Sequence, residues 1–327
     1  MMLAKRLASV RTSFKRYITS NTTVLHETLR VVEHSPDLFV QAADSLFVYP
    51  YRTTVFGGQI IGSAVYVVQK TLNKNFPLHS LHAYFLAAAT NTSPISYKVH
   101  RLRDGNSFES RSVTARQNER VIFEAQMSFH RREKSSLDHQ IKMPIVDVVS
   151  PENLKSTRER FRKLLNDPRL PEFLRPFVNI ALESPPRIDI RHCKPRDLLE
   201  PSPEWPAKQL VWIKSIEPLP DDSHLHRSAV AYCSDRVLLT TALLPYPINI
   251  FSPKIQMQVS LDHSMWFHDD FSFSSTEERN PIRADDWLLY ELDCPIARNN
   301  RALTFGRIWT RDGRLVVSCV QEGVIRC

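Results

Sequence analysis

"GGQIIGSAVYVVQKTLN", residues 57–73, is apolar on nearly every side of the helix it would form. A helix of that kind has to be covered all round, so it belongs inside a sheet rather than on one. The segments after it read as strands. "HSLHAYFL" (79–86) comes first, then "SRSVTARQNERVIFEAQMSF" (110–129), which reads as two alternating strands around a polar Asn118-Glu119 turn. The same order recurs later in the chain. "SHLHRSAVAYCSDRVLLTTALL" (223–244) reads as one buried helix, "VSLDHSMWFH" (259–268) as the strand after it, and "FGRIWTRDGRLVVSCVQEGVI" (305–325) as a hairpin around Asp312-Gly313. An internal duplication of helix-then-antiparallel-strands is the expectation. A helix wrapped by a meandering sheet is the hotdog arrangement, so the expected fold class is α+β, a double hotdog.

The prolines mark the division between the copies. Eleven of the 22 fall from Pro144 to Pro206. A segment so rich in proline predicts a connector with short helices, such as "NLKSTRERFRKLLN", and an occasional strand such as "RIDIR". The expected organisation is a leader over 1–23, a first unit over 24–132, a connector over 133–207, and a second unit over 208–327 that carries the catalytic residues.

Composition narrows the class. The 327 residues are 42% hydrophobic and 24% charged, which suits a folded body with a substantial core. No run approaches 18 consecutive apolar residues, which leaves no candidate membrane-spanning helix. The five cysteines are scattered and never form C-x-x-C, a pattern of reduced thiols rather than a disulfide frame or a zinc site. The net charge of +8 is concentrated early. Lys5, Arg6, Arg11, Lys15 and Arg16 precede the first carboxylate, Glu27, and subtracting them leaves +3. With Leu3, Leu7, Val10, Phe14 and Ile18 on one helical stripe, this leader resembles a mitochondrial transit peptide. The final Ile325-Arg326-Cys327 is not an S-K-L-type peroxisomal address. A body near +3, without a basic stripe interleaved with aromatics, does not point to nucleic acid.

Three polar residues stand out against their surroundings. Asp235 lies in the apolar run "AVAYCSDRVLLTTALL". A buried carboxylate needs partners or a function, and the adjacent Arg236 is on a different helical face. Gln321 sits on the strand face of Val317, Cys319, Gly323 and Ile325. Unbroken alternation puts Gln258, Ser260 and Asp262 on one polar face, with His263 and His268 following as rim or structural residues. Gly57 and Gly58 open the first helix, where they admit either a ligand at its free N–H groups or a tightly packed backbone. There is no G-x-S-x-G elbow, and "HETLR" (26–30) lacks the second histidine of a zinc-protease motif.

Several ordered motifs, "FGGQIIG", "RDGNSF", "VWIK", "YCSD", "SLDHSMWFH", "WLLY" and "VQEGVIR", resemble the acyl-CoA thioesterase II family from about residue 24 to the C-terminus. The resemblance implies a double hotdog that hydrolyses acyl-CoA to free fatty acid and CoA. It also implies an aspartate, a hydroxyl residue and a glutamine holding the attacking water. Those roles fall on Asp235, Ser260 and Gln321. Gly57, Gly58, Gln59, Asp262 and His263 are the implied substrate-binding residues. The substrate is the expected partner, no metal or redox cofactor is expected, and a homodimer or higher homo-oligomer is implied. Two departures bear on compartment: peroxisomal members usually end in an S-K-L-like tripeptide, and this chain adds a basic leader. The mitochondrial matrix is therefore the first expectation, with the peroxisomal matrix or cytosol as alternatives. Two other functions remain open: a non-catalytic acyl-CoA binder, and a hotdog hydratase centred on His82 or His263.

Overall fold

A computed structural model of the chain describes residues 25–327, except 50–51, 146, 185, 201–204, 249–251, 253, 270 and 274–279. The expected leader over 1–23 lies outside the described residues. Among the described residues the strands form one antiparallel sheet of 13. After the short helix α1 (Leu25–Thr28) come β1 (Val32–Ser35) and β2 (Leu38–Gln41). Helix α2 (Gly57–Gln69) is next, then β3 (Leu78–Phe85), β4 (Ile95–Asp104), β5 (Phe108–Gln117) and β6 (Arg120–His130). Helices α3 (Thr157–Leu165) and α4 (Arg175–Glu183) and strand β7 (Ile188–His192) lead to β8 (Lys208–Ser215) and helix α5 (Ser223–Ser234). The chain closes with β9 (Met257–Ser260), β10 (Asp262–Phe267), β11 (Leu288–Arg298), β12 (Arg301–Thr310) and β13 (Leu315–Arg326).

The strand order is β1-β2-β4-β5-β6-β3-β10-β13-β12-β11-β8-β7, with β9 also paired to β13. The two copies meet edge to edge at β3 and β10, where Leu81 lies opposite Met265. That junction removes the two inner edges, which would otherwise template aggregation. Sheets on either side curl around α2 and α5, forming the double hotdog. Turn residues set the hairpins: Asn118 and Glu119 both have positive φ (50° and 61°), as do Asn299 and Asn300 (53° and 58°). Two consecutive left-handed residues match the twist of the flanking strands.

α2 and α5 pack on each other in opposite directions. Near one end Gly58 lies against the Tyr232 carbonyl; at the other, the Gln69 side-chain amide donates to the His224 carbonyl at 3.2 Å. A β-carbon on Gly58 would sit 2.4 Å from that Tyr232 oxygen, so the second glycine serves close helix contact. The helix pair sits in one continuous core with Val65, Val68, Leu81, Met265, Tyr290 and Val317.

The connector is tied to the second copy. A capping box of Ser156 and Glu159 starts α3, and α3 and α4 share a small core around Leu164, Leu174 and Val178. A second satellite core, with Trp212, Leu289 and Trp309, forms with Met143, Val148 and Leu154 of the connector. The Trp212 indole donates to the Val149 carbonyl at 2.8 Å.

Two sequence expectations change. The helix expected over 223–244 stops at Ser234: Asp235 is its C-cap, Val237 turns to φ 57°, and Leu239–Leu243 is 3-10. The freed Val237 carbonyl accepts the Thr240 and Thr241 hydroxyls at 2.7 and 3.1 Å. The second change concerns alternation through Leu261. Four residue steps from Ser260 to Ser264 face three from Gly323 back to Val320. That extra residue is a β-bulge, and it inverts the facing of everything after it. Ser260 therefore shares a face with His263, not with Asp262.

Candidate active site

The bulge and the helix stop bring Asp235, Ser260 and Gln321 together. Ser260 ends β9 and donates its hydroxyl to Asp235 Oδ1 at 3.2 Å. Gln321, in β13, donates from Nε2 to Ser260 Oγ at 2.5 Å. Asp235 sits half-buried at the C-terminal end of α5, where the helix dipole disfavours a negative charge. Burial pushes its carboxyl up to about 6; bonds from Ser260 and Gln321 and the Gly58 backbone N–H oppose the rise, with a smaller effect of Arg236. The opposing helix delivers that N–H, because α2 begins where α5 ends. No N-cap side chain serves α2; its Gly58 N–H goes to the Asp235 carboxylate and its Gln59 N–H to the Phe56 carbonyl at 3.1 Å. Gly57 is in direct contact: a β-carbon there would lie 2.9 Å from Asp235 Oδ2 and 3.1 Å from the Phe85 ring.

Around this centre the support is dense. His263, directly across from Gln321 when the β10–β13 register is continued, contacts Gln321 Oε1 through Nδ1 at 2.8 Å. Its Nε2 lies 2.9 Å from Ser234 Oγ. Burial lowers the His263 pKa to about 4, with the Gln321 bond acting against the fall, so the ring is neutral at physiological pH. Tyr290 donates its hydroxyl to the Ser234 carbonyl at 2.7 Å and steadies the last turn of α5. Arg236 lies over the Tyr49 ring at 4.6 Å and bonds the Tyr49 hydroxyl, which holds it among aromatics beside the site.

The other expected residues divide. Gly57 and Gly58 are at the centre. Gln59 is buried and committed elsewhere: it accepts from the Phe47 N–H at 2.6 Å and donates to the Thr28 and Ser45 carbonyls at 2.8 and 2.9 Å. It is 0% exposed and braces the segment before α2. Asp262, turned to the opposite face by the bulge, accepts from the Glu322 N–H at 2.7 Å. His263 faces the site's interior, is 0% exposed, and contacts Gln321 and Ser234. His82 is exposed and paired with Ser264 at 3.0 Å, and its strand neighbours on either side, Leu81 and Ala83, are the ones that face the core. Sequence reasoning missed Ser234 and Tyr290. "YCSD" contains Ser234, but only the three-dimensional contact with His263 shows what it does.

A sheet-wrapped helix pair, with carboxylate, hydroxyl and carboxamide meeting at one end of it, places the chain among the double-hotdog proteins. A protein with hot dog fold from Alicyclobacillus acidocaldarius superimposes with a TM-score of 0.66 at 16% identity, over 92% of this chain and 97% of that one. The acyl-CoA thioesterase II TesB2 of Mycobacterium marinum superimposes with a TM-score of 0.67 at 32% identity, over 92% and 96%. Acyl-coenzyme A thioesterase 8 of Rattus norvegicus is 40% identical over 284 residues, spanning 85% of this chain and 82% of the relative. The family model for acyl-CoA thioesterase matches residues 203–324, and that for the acyl-CoA thioesterase N-terminal domain matches 49–130. The chain belongs to the acyl-CoA thioesterase II family.

Proposed function

We propose that the protein hydrolyses fatty acyl-CoA to free fatty acid and CoA, with a water molecule held by Asp235, Ser260 and Gln321 as the nucleophile. A thioester carbonyl is electrophilic and its thiolate leaves readily, so no covalent enzyme intermediate is needed. Asp235 takes the water proton as oxygen adds to the carbonyl carbon; collapse of the tetrahedral adduct breaks the C–S bond, and the proton passes to the departing sulfur. Gln321 and Ser260 fix the water and the carboxylate in one geometry. The N-terminal end of α2, which lies beside Asp235, favours the negative charge of the developing oxyanion.

The observation that carries this reading is the meeting of Asp235 with Ser260 and Gln321 beside the start of α2. A carboxyl raised to about 6 is basic enough to accept a proton and still ionised at neutral pH. The hydratase alternative is disfavoured because His263 is buried and engaged at both ring nitrogens. Thiol release from a panel of short to long acyl-CoAs, by the protein and its Asp235→Asn variant, tests the proposal. Turnover lost in the variant supports it. Acyl-CoA binding without turnover by the parent would establish the silent-binder alternative instead.

Self-association into a homodimer or higher oligomer belongs to the same proposal and is decided by sedimentation. Exposed apolar side chains of the connector, Leu137, Ile141 and Ile145, offer surface for it. The basic leader supports a mitochondrial matrix location against a peroxisomal one. Imaging of the tagged chain with and without residues 1–22 distinguishes the two.

A further inference from the structure

Asp235 and Ser234 are consecutive at the end of α5, yet a chain of side chains leads from one to the other through three strands, β10, β13 and β9. Ser234 meets His263 at 2.9 Å, His263 meets Gln321 at 2.8 Å, Gln321 meets Ser260 at 2.5 Å, and Ser260 meets Asp235 at 3.2 Å. We infer that Ser234 and His263 are positioning residues that hold the Gln321 carboxamide with its NH2 toward Ser260 and Asp235. The inference rests on the hydrolytic reading of Gln321.

Proton counting carries it. An ionised carboxylate only accepts, so the single Ser260 hydroxyl proton goes to Asp235. Ser260 Oγ then accepts, and only the NH2 of Gln321 can donate to it. The Gln321 oxygen is left facing His263 Nδ1, which must carry the ring's proton. A neutral imidazole has one N–H, so Nε2 is bare and takes the Ser234 hydroxyl proton. Every bond then points the same way around the ring, an arrangement in which neighbouring bonds polarise one another.

The competing arrangement fails at one place. The Ser234 hydroxyl also lies 2.8 Å from the Ala231 carbonyl. With its proton turned there, His263 must donate from Nε2, and Nδ1 must accept. Gln321 would have to flip, presenting its oxygen to Ser260 at 2.5 Å. Ser260 could then serve the amide oxygen or the carboxylate, not both. Ionised Asp235 would lose its hydroxyl donor, or two oxygens would meet without a proton between them. Ser234, His263 and Gln321 are each 0% exposed, so water does not come between these three side chains.

The ring predicts the less common tautomer for His263, protonated at Nδ1. Nitrogen NMR of the histidine-labelled full chain reads it directly, the His263 signals among the 12 histidines being identified by their loss in His263→Gln. Bare Nε2 and protonated Nδ1 are expected; the reverse overturns the inference, whatever the activity. Kinetics provide the second arm. Ser234→Ala should lower kcat about 10-fold with KM changed less than about 2-fold, the pattern of lost transition-state positioning. In a Gln321→Ala background the same change should cost less than about 2-fold, because Ser234 acts through that amide. An equal loss in both backgrounds would make Ser234 merely structural and sink the proposal. Absence of turnover in the parent would remove the hydrolytic reading, while the tautomer would still decide whether the ring exists.

Discussion

Gly57 lies against Asp235, with the space for a side chain at the first residue of α2 already taken by the carboxylate Oδ2 at 2.9 Å. The contact sets the carboxylate against an uncapped helix start, and it makes Gly57 a position where activity and stability part. Gly57→Ala adds a methyl that pushes on Asp235 and on the Phe85 ring. Alanine favours a helix by up to about 1 kcal/mol over glycine, which offsets the local crowding. Expected is a fall in kcat/KM of at least about 10-fold with a melting temperature close to the parent's. Unchanged turnover would mean that the carboxylate tolerates displacement.

Gly58→Ala should do the opposite. Its methyl would meet the Tyr232 carbonyl at 2.4 Å, a backbone atom of the partner helix that cannot rotate away. Separating α2 from α5 disturbs the whole core, and overpacking of this kind costs about 1–3 kcal/mol. Denaturant unfolding should register that loss. A variant as stable as the parent would show that the two helices can slide apart freely.

Asp235 sets the pH profile. The water-activating carboxylate must be ionised, and burial holds its pKa at about 6. kcat/KM should therefore climb with pH through about 6 and level off above it, following one ionisation of the free enzyme. His263, at about 4 and already neutral there, adds no second limb in that range. A rate that falls as pH rises from 5 to 7 would require a protonated catalytic acid and a different mechanism.

Much of the architecture was legible in periodicity. The buried run at 57–73 and its later counterpart set two helices, and alternating strands with Asn118-Glu119 and Asp312-Gly313 turns set two hairpins. Asp235 and Gln321 stood out because a carboxylate and an amide on apolar faces demand partners. The Leu261 bulge was not legible. Whether Ser260 shares a face with Asp262 or His263 depends on how many residues β13 sets opposite them, which is a property of the partner strand. The stop at Ser234 was hidden for a similar reason, since "DRVLLTTALL" continues the apolar pattern while its hydroxyls turn back onto the Val237 carbonyl.

Val237 is strained. A β-branched residue at φ 57° suffers a clash of roughly 1–2 kcal/mol. It persists because Thr240 and Thr241 hold its carbonyl and because the turn sets Asp235 at the end of its helix. Replacing a half-buried valine by glycine ordinarily destabilises by about 1–2 kcal/mol. Here release of the strain opposes that loss, so Val237→Gly should unfold within about 0.5 kcal/mol of the parent. A loss above about 2 kcal/mol would show that the packing of Val237 outweighs any relief.

Asp235 should also weaken the fold that holds it. Its carboxyl titrates at about 6 when folded against an ordinary 3.8 when unfolded. Between those values the native state binds the extra proton, so raising the pH through this window removes stability. Asp235→Asn keeps the shape and the acceptor for Ser260 but cannot ionise. Its stability relative to the parent should therefore be least below about pH 4, grow between about 4 and about 6, and level off above that at about 1–2 kcal/mol over the parent's, after discounting for partial solvent access. Urea unfolding of both proteins across that range isolates the effect, because every other titrating group is shared. A difference that stays flat with pH would mean the carboxylate is ionised as easily in the folded protein as in water. The raised proton affinity that suits it to be a base would then be absent.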